Sequence, residues 1–230
     1  MQIQYVYLLS SSFLILSESI MKTKILCQLF VFALLVSSCA TISYTPKVSL
    51  DVSPTTIRKT VKVENLVDKI SQEQKAKPVS GYSVTDSESL AGDLSSEVTN
   101  AIIEDFNSNA VFSKISKKED QPDLILKGEI VSFEGKFRPT TAMWITIPID
   151  LIWFLGVPVF KDIVNVEIKL SIYNKSGMLI GEYSGKSSDT KLYTIYKNAA
   201  LGLPAKTNKY FSEAIKQIRE KILLDINKFN

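Results

Sequence analysis

The sequence predicts an α+β fold: an antiparallel β-sheet of about four strands with two amphipathic helices packed on one face. Three observations carry that reading. Ile163–Tyr173 alternates, with Val164, Val166, Ile168, Leu170 and Ile172 on one side and Asn165, Glu167, Lys169 and Ser171 on the other; only a half-buried sheet accommodates that period. Two segments instead repeat apolar residues every three or four positions, Leu90, Leu94, Val98, Ile102, Phe106 and later Phe211, Ile215, Ile218, Ile222, Ile226, the stripe of a surface helix. Asn174-Lys175-Ser176-Gly177 then reads as a hairpin turn between adjacent strands.

In chain order, Val61–Val67 alternates well enough for a first strand, and a polar loop follows from Asp68 to Thr85, punctuated by Pro78 and Gly81. Asp86 or Ser87 caps the first helix, which ends near Asn107 and Asn109. Val111–Ile115 is a short strand and Asp123–Phe137 a long one, where Gly128 suggests a bulge or a close backbone contact. Met178–Ser187 returns as the partner of Ile163–Tyr173, and Thr207 or Asn208 opens the last helix.

Ahead of this domain, assigned to residues 61–230, the chain carries processing signals. From Met21, Lys22 and Lys24 form a basic start, Ile25–Val36 an apolar stretch, and Ser37 and Ser38 the small residues before a cleavage point; residues 21–38 are a signal peptide. Residues 1–20 have no basic residue ahead of their apolar patch and read as upstream of the true start. Val36-Ser37-Ser38-Cys39 resembles a bacterial lipobox. The resemblance implies a diacylglyceryl group on the Cys39 thiol, cleavage before Cys39, and acylation of the new amino terminus. Two or three chains anchor stably, whereas one, at ~0.8 kcal/mol per buried CH₂, binds only reversibly. The alternative reading makes Cys39 a small apolar residue ending an ordinary secretory signal. No aspartate follows Cys39, which in enteric-type lipoproteins favours the periplasmic face of the outer membrane. Residues 39–60, Ser/Thr-rich with Pro46 and Pro54, read as the lipidated terminus and a flexible tether with a reach of roughly 25 Å.

Composition narrows the chemistry. Histidine is absent from the 230 residues, and the only cysteines are Cys27 and Cys39, which removes the usual general base near neutral pH, the commonest nitrogen metal ligand and any disulfide framework in the domain. No cofactor and no metal are expected. With 27 Lys+Arg against 24 Asp+Glu and no basic stripe, nucleic acid is not an expected partner. Carboxylates remain as catalytic groups: Asp68, Glu129, Glu134 and Asp150. No pair of them has diagnostic spacing, so a carboxylate-dependent hydrolase is the weaker alternative to a non-enzymatic domain. Gly185-Lys186-Ser187 follows Gly181 one residue too soon for a phosphate loop and lies in a hairpin.

The apolar run Thr141–Phe160 has about the ~20 residues of a spanning helix. Pro148, Gly156 and Pro158 would break its hydrogen-bond ladder, and Asp150 would sit near mid-bilayer. It therefore reads as an insertion, residues 141–160, joining two strands, with a helical turn around Asp150–Leu155. Trp144, Trp153, Phe154 and Phe160 either form an interaction patch with Asp150 or cover one end of the core.

Val61–Asp68, Val98–Ile102, Asp123–Ile130 and the Gly177 hairpin together resemble the small YajG-like envelope lipoproteins. More loosely they resemble auxiliary lipoproteins of ABC-type transport systems and activator lipoproteins of cell-wall synthases. The resemblance implies a binding or assembly role at the membrane with an envelope protein partner, and no catalytic residues. A lipid-contacting component of a transport system is the alternative.

Overall fold

A computed structural model describes residues 43–48, 56–76, 78, 81–86, 89–146, 153–196 and 202–229. Residues 1–42, and with them Cys39 and the signal peptide, lie outside the described residues, as does Asp150.

The strands are β1 (Ile57–Val63), β2 (Val67–Asp68), β3 (Tyr82–Ser83), β4 (Phe112–Ser116), β5 (Leu124–Pro139), β6 (Phe160–Asn174) and β7 (Leu179–Tyr193). The helices are α1 (Gln72–Lys75), α2 (Leu94–Ser108), α3 (Thr141–Thr146) and α4 (Leu203–Leu224), followed by a 3₁₀ turn, Ile226–Phe229. The sheet runs in the order β4-β1-β5-β6-β7, and β2 and β3 also pair with β5.

This corrects the expected four-stranded antiparallel sheet to a mixed one of seven strands. The meander β5-β6-β7 is antiparallel, but β1 is parallel to both β4 and β5. The physical reason is α2: a strand, a crossing helix and a return strand bring β4 beside β1 in the same direction. Alternation reports which face a strand buries and is silent on its direction.

β1 opens at Ile57, four residues before the expected Val61, because a register shift between Ile57 and Thr60 breaks the alternation there. The expected polar loop 68–85 contains β2, α1 and β3, each too short to show a period. In β5 the bulge falls at Val131, between the Ile130–Ile168 and Ser132–Glu167 pairs. Gly128 is instead a close approach, where a Cβ would lie 2.6 Å from Leu170 Cδ2 and from the Lys169 carbonyl oxygen. Gly177, at φ +80°, closes the β6–β7 turn. Asn174 Oδ1 there accepts from Ser176 N, Ser176 Oγ and Met178 N.

α2 is capped by Asp93, whose carboxylate accepts from Ser96 N at 2.9 Å, and not by Asp86 or Ser87. Leu90 consequently lies before the helix, where it bridges to Tyr44. α4 opens four residues before Thr207, with Pro204 in its first turn, where a missing N–H costs nothing. Its buried stripe is Phe211, Ile215, Ile218 and Ile222; Ile226 falls in the 3₁₀ turn instead.

α2 and α4 both cover the sheet face lined by Val164, Val166, Ile168, Leu170 and Ile172. Arg219 Nη1 donates to both Asp105 oxygens at 2.7 and 2.8 Å, joining the two helices through a buried ion pair. Gly185 lets α4 lie on β7, since a Cβ there would meet the Ala214 carbonyl oxygen at 1.9 Å. β7 is an edge strand, and α4 blunts it: Gln217 bonds both backbone groups of Lys186, and Lys221 bonds the Ser184 carbonyl. The opposite face is polar and partly open.

The expected tether is corrected where it is described. Tyr44 is 1% exposed and stacks obliquely near Phe133, with ring centroids 6.3 Å apart. Its hydroxyl donates to Asn208 Oδ1 at 2.8 Å, and its backbone pairs with Ser89 and Ala91. A tyrosine with its hydroxyl satisfied buries a large apolar ring, so residues 43–48 belong to the domain, which forms one compact unit from Ser43.

Candidate functional site

The end of the sheet where β5 turns into β6 holds most of the residues singled out from the sequence. Pro139 and Phe160 are the closing register pair. Thr140 locks the base, its N–H donating to the Val159 carbonyl at 2.8 Å and its hydroxyl to the Pro158 carbonyl at 3.1 Å. Val159 N–H in turn donates to the Tyr193 carbonyl, tying in β7. The two ends of the apolar run therefore meet, as two ends of a single membrane crossing could not. Among the described residues no helix is long and apolar enough to span a bilayer.

From this base α3 rises on one side, and a 3₁₀ turn, Trp153–Leu155, with Gly156 at φ +85°, descends on the other. The helical turn expected around Asp150–Leu155 is present in its second half. Trp144 is 54% exposed, Ile145 72%, Phe154 63% and Leu155 83%. Tyr196, also exposed, donates its hydroxyl to the Phe154 carbonyl at 2.6 Å, and exposed Leu192 lies on the adjoining end of β7. Trp153 is half-buried. Phe160 stacks on Phe137 at 5.1 Å and 26°, covering the sheet end. The aromatic set thus divides: Trp144 and Phe154 project into solvent, and Phe160 closes the core.

Below the loop lies a polar group that sequence reasoning missed. Asp162 is 1% exposed, and Tyr193 donates to its Oδ2 at 2.7 Å. Lys206 Nζ stands 3.5 Å from that oxygen and 3.1 Å from Asp189 Oδ2. The hydrogen bond from Lys206 holds the Asp189 carboxyl below its usual range, while burial first, and then Asp162, pushes the Tyr193 phenol up. One cation is shared between two carboxylates at the junction of β6, β7 and the first turns of α4, offsetting part of their charge. The missed signal is phase: Asp162 is two residues before Val164, on the buried side of the same alternation.

Of the carboxylates named from the sequence, the three among the described residues have separate partners or surroundings. Asp68 pairs with Lys75 at 2.5 Å and caps Ile70 N, and Glu134 lies 3.4 Å from Lys136. Glu129 lines a shallow concavity of about 670 Å³ on the open face with Lys127, Lys169, Tyr173 and Glu182. Lys186 of the Gly185-Lys186-Ser187 tripeptide pairs with Glu167, and Ser187 bonds Glu213. Among the described residues no group of three potential ligands is placed to hold a metal ion.

No protein-family model matches the chain, and no curated protein matches its sequence. Among solved structures, a Xanthomonas campestris protein of the DUF330 family overlaps 82% of this chain and 96% of its own, at 11% identity and a TM-score of 0.47. The PelC dodecamer protein of Paraburkholderia phytofirmans overlaps 74% of this chain and 93% of its own, at 10% identity and a TM-score of 0.34. A hypothetical protein of Chlamydia trachomatis overlaps 73% and 94%, at 7% identity and a TM-score of 0.38. At these scores the overlaps carry no argument about what this chain does.

Proposed function

We propose that this chain is an envelope lipoprotein, acylated on Cys39 after removal of residues 21–38, that presents its α+β domain as a non-enzymatic binding or assembly module at the periplasmic face of the outer membrane. The observation that carries the reading is the basic, apolar and small-residue succession ending in Val36-Ser37-Ser38-Cys39. Acyl chains on Cys39 would supply the anchor, so the apolar run need not cross the bilayer. In cells expressing the full chain, Cys39→Ser is expected to abolish incorporation of labelled palmitate and to release the protein from the membrane fraction. Unchanged labelling and unchanged partition would overturn the reading.

A second reading, a lipid-contacting component of an envelope transport system, is favoured by the exposed side chains of the β5–β6 connection. Exposed large apolar residues gathered at one site mark an interaction surface more often than singly scattered ones do.

A further inference from the structure

We infer that the loop end of the sheet, through Trp144, Ile145, Phe154 and Leu155, enters the headgroup and upper acyl region of the leaflet that holds the Cys39 anchor. The inference rests on the lipoprotein reading for the identity of that leaflet and on the fold for everything else.

The first argument is where the chain enters the domain. Tyr44 is bonded to Asn208 in the second turn of α4 and packs near Phe133. Gly135, two residues further along β5, meets Thr207 of α4, so these groups share the loop half of the sheet. β1 is parallel to β5 and begins, at Ile57, beyond the opposite end of it. Tyr44 and Ile57 therefore lie toward opposite ends of the sheet, with Tyr44 on the loop half. Four residues separate Cys39 from Tyr44, and their five Cα–Cα steps span at most about 18 Å. Phe133 to Pro139 is six residues of strand, about 20 Å. The anchor would therefore keep Tyr44, on the loop half of the sheet, within about 18 Å of the leaflet.

The second argument is chemical. The tip pairs aliphatic Ile145 and Leu155 with aromatic Trp144 and Phe154, the residue types that settle at a lipid–water boundary. Behind it, on the open face, Arg138 and Lys161 are a direct cross-strand pair, and no ion pair joins either among the described residues. Like charges placed opposite each other cost stability. Anionic headgroups would offset that cost.

Both tryptophans of the chain lie in this connection, so tryptophan emission, excited beyond the tyrosine band, reports on it alone. The test mixes the full acylated chain with vesicles of phosphatidylethanolamine and phosphatidylglycerol whose acyl chains carry bromine. The expected result is a blue shift and quenching of the emission. Leu155→Asp, at a position too exposed to threaten folding, should remove most of the quenching while the acylated chain stays bound to the vesicles. Arg138→Gln with Lys161→Gln should do the same only while phosphatidylglycerol is present. Emission unchanged by brominated lipid, with Cys39 shown acylated by peptide mass, would overturn the loop inference and leave the anchor reading standing. Quenching with Cys39 unacylated would overturn the anchor reading and leave the loop inference standing.

Discussion

The two hairpin connections of the meander solve the same topological problem in opposite ways. Between β6 and β7 the chain turns through Asn174-Lys175-Ser176-Gly177, and one side chain, Asn174, satisfies three donors of the turn. Between β5 and β6 it takes Thr140 to Val159, with its closing hydrogen bonds already made at the base. Everything beyond that base is surplus to connecting the strands, and it is where the exposed aromatic residues are. The ionic ties under the two ends differ as well. Asp105 and Arg219, toward the tight-turn end, form a closed pair with Asn109 bonded to the Asp105 carboxylate. Lys206, under the long loop, is shared between Asp162 and a more exposed Asp189. The tight-turn end is built to hold the fold together; the other end carries apolar surface that the fold does not require.

The largest effect is expected where that contrast is sharpest. Arg219→Ala leaves Asp105 buried without its cation and should cost about 3–5 kcal/mol in urea unfolding. A loss under 1 kcal/mol would mean that the helices are not joined there.

Lys206→Met should cost less, about 2 kcal/mol, because Tyr193 still donates to Asp162 and Asp189 is partly solvated. The pH dependence carries the diagnostic sign. Asp189 has a lowered pKa in the folded chain, caused first by the hydrogen bond from Lys206. Its contribution is therefore present above the unfolded value of about 4 and is lost as pH falls through the lowered folded value. The stability gap between wild type and Lys206→Met should narrow below pH ~4. A gap constant through that window would show that Asp189 gains nothing from Lys206.

The elements with a sustained period were legible in the sequence. β6 and the stripes of α2 and α4 each bury one continuous face, so alternation and 3.6-residue spacing survive in them. Elements set by tertiary contact were hidden. β2 and β3 are two residues long and exist because β5 offers them an edge. Ser187 to Lys191 of β7 are polar on both sides, since one side meets the Lys206 junction and the other the open face. Tyr44 reads as tether from its Ser, Thr and Pro neighbours, and only the pocket beside Phe133 and Asn208 makes it core. Of the site, Trp144 and Phe154 could be named in advance because they are large aromatic side chains in an apolar run whose prolines and glycine deny it a spanning helix. Ile145 and Leu155 could not be separated from buried neighbours, because hydrophobicity alone does not say which side of a loop faces water.

The smallest expected effect on stability is the most informative about the loop. Replacing Thr141–Val157 with Asn-Lys-Ser-Gly keeps Thr140, Pro158 and Val159, whose hydrogen bonds close the base. Shortening the connection lowers the cost of closing it by about 1 kcal/mol, and loss of the half-buried Trp153 side chain offsets a similar amount. Urea unfolding should therefore shift by no more than about 1 kcal/mol in either direction. If the shortened chain instead loses several kcal/mol, the loop is part of the core and the contrast between the two connections collapses. If it keeps its stability, the apolar residues between Thr141 and Pro158 are retained for what they touch outside the domain.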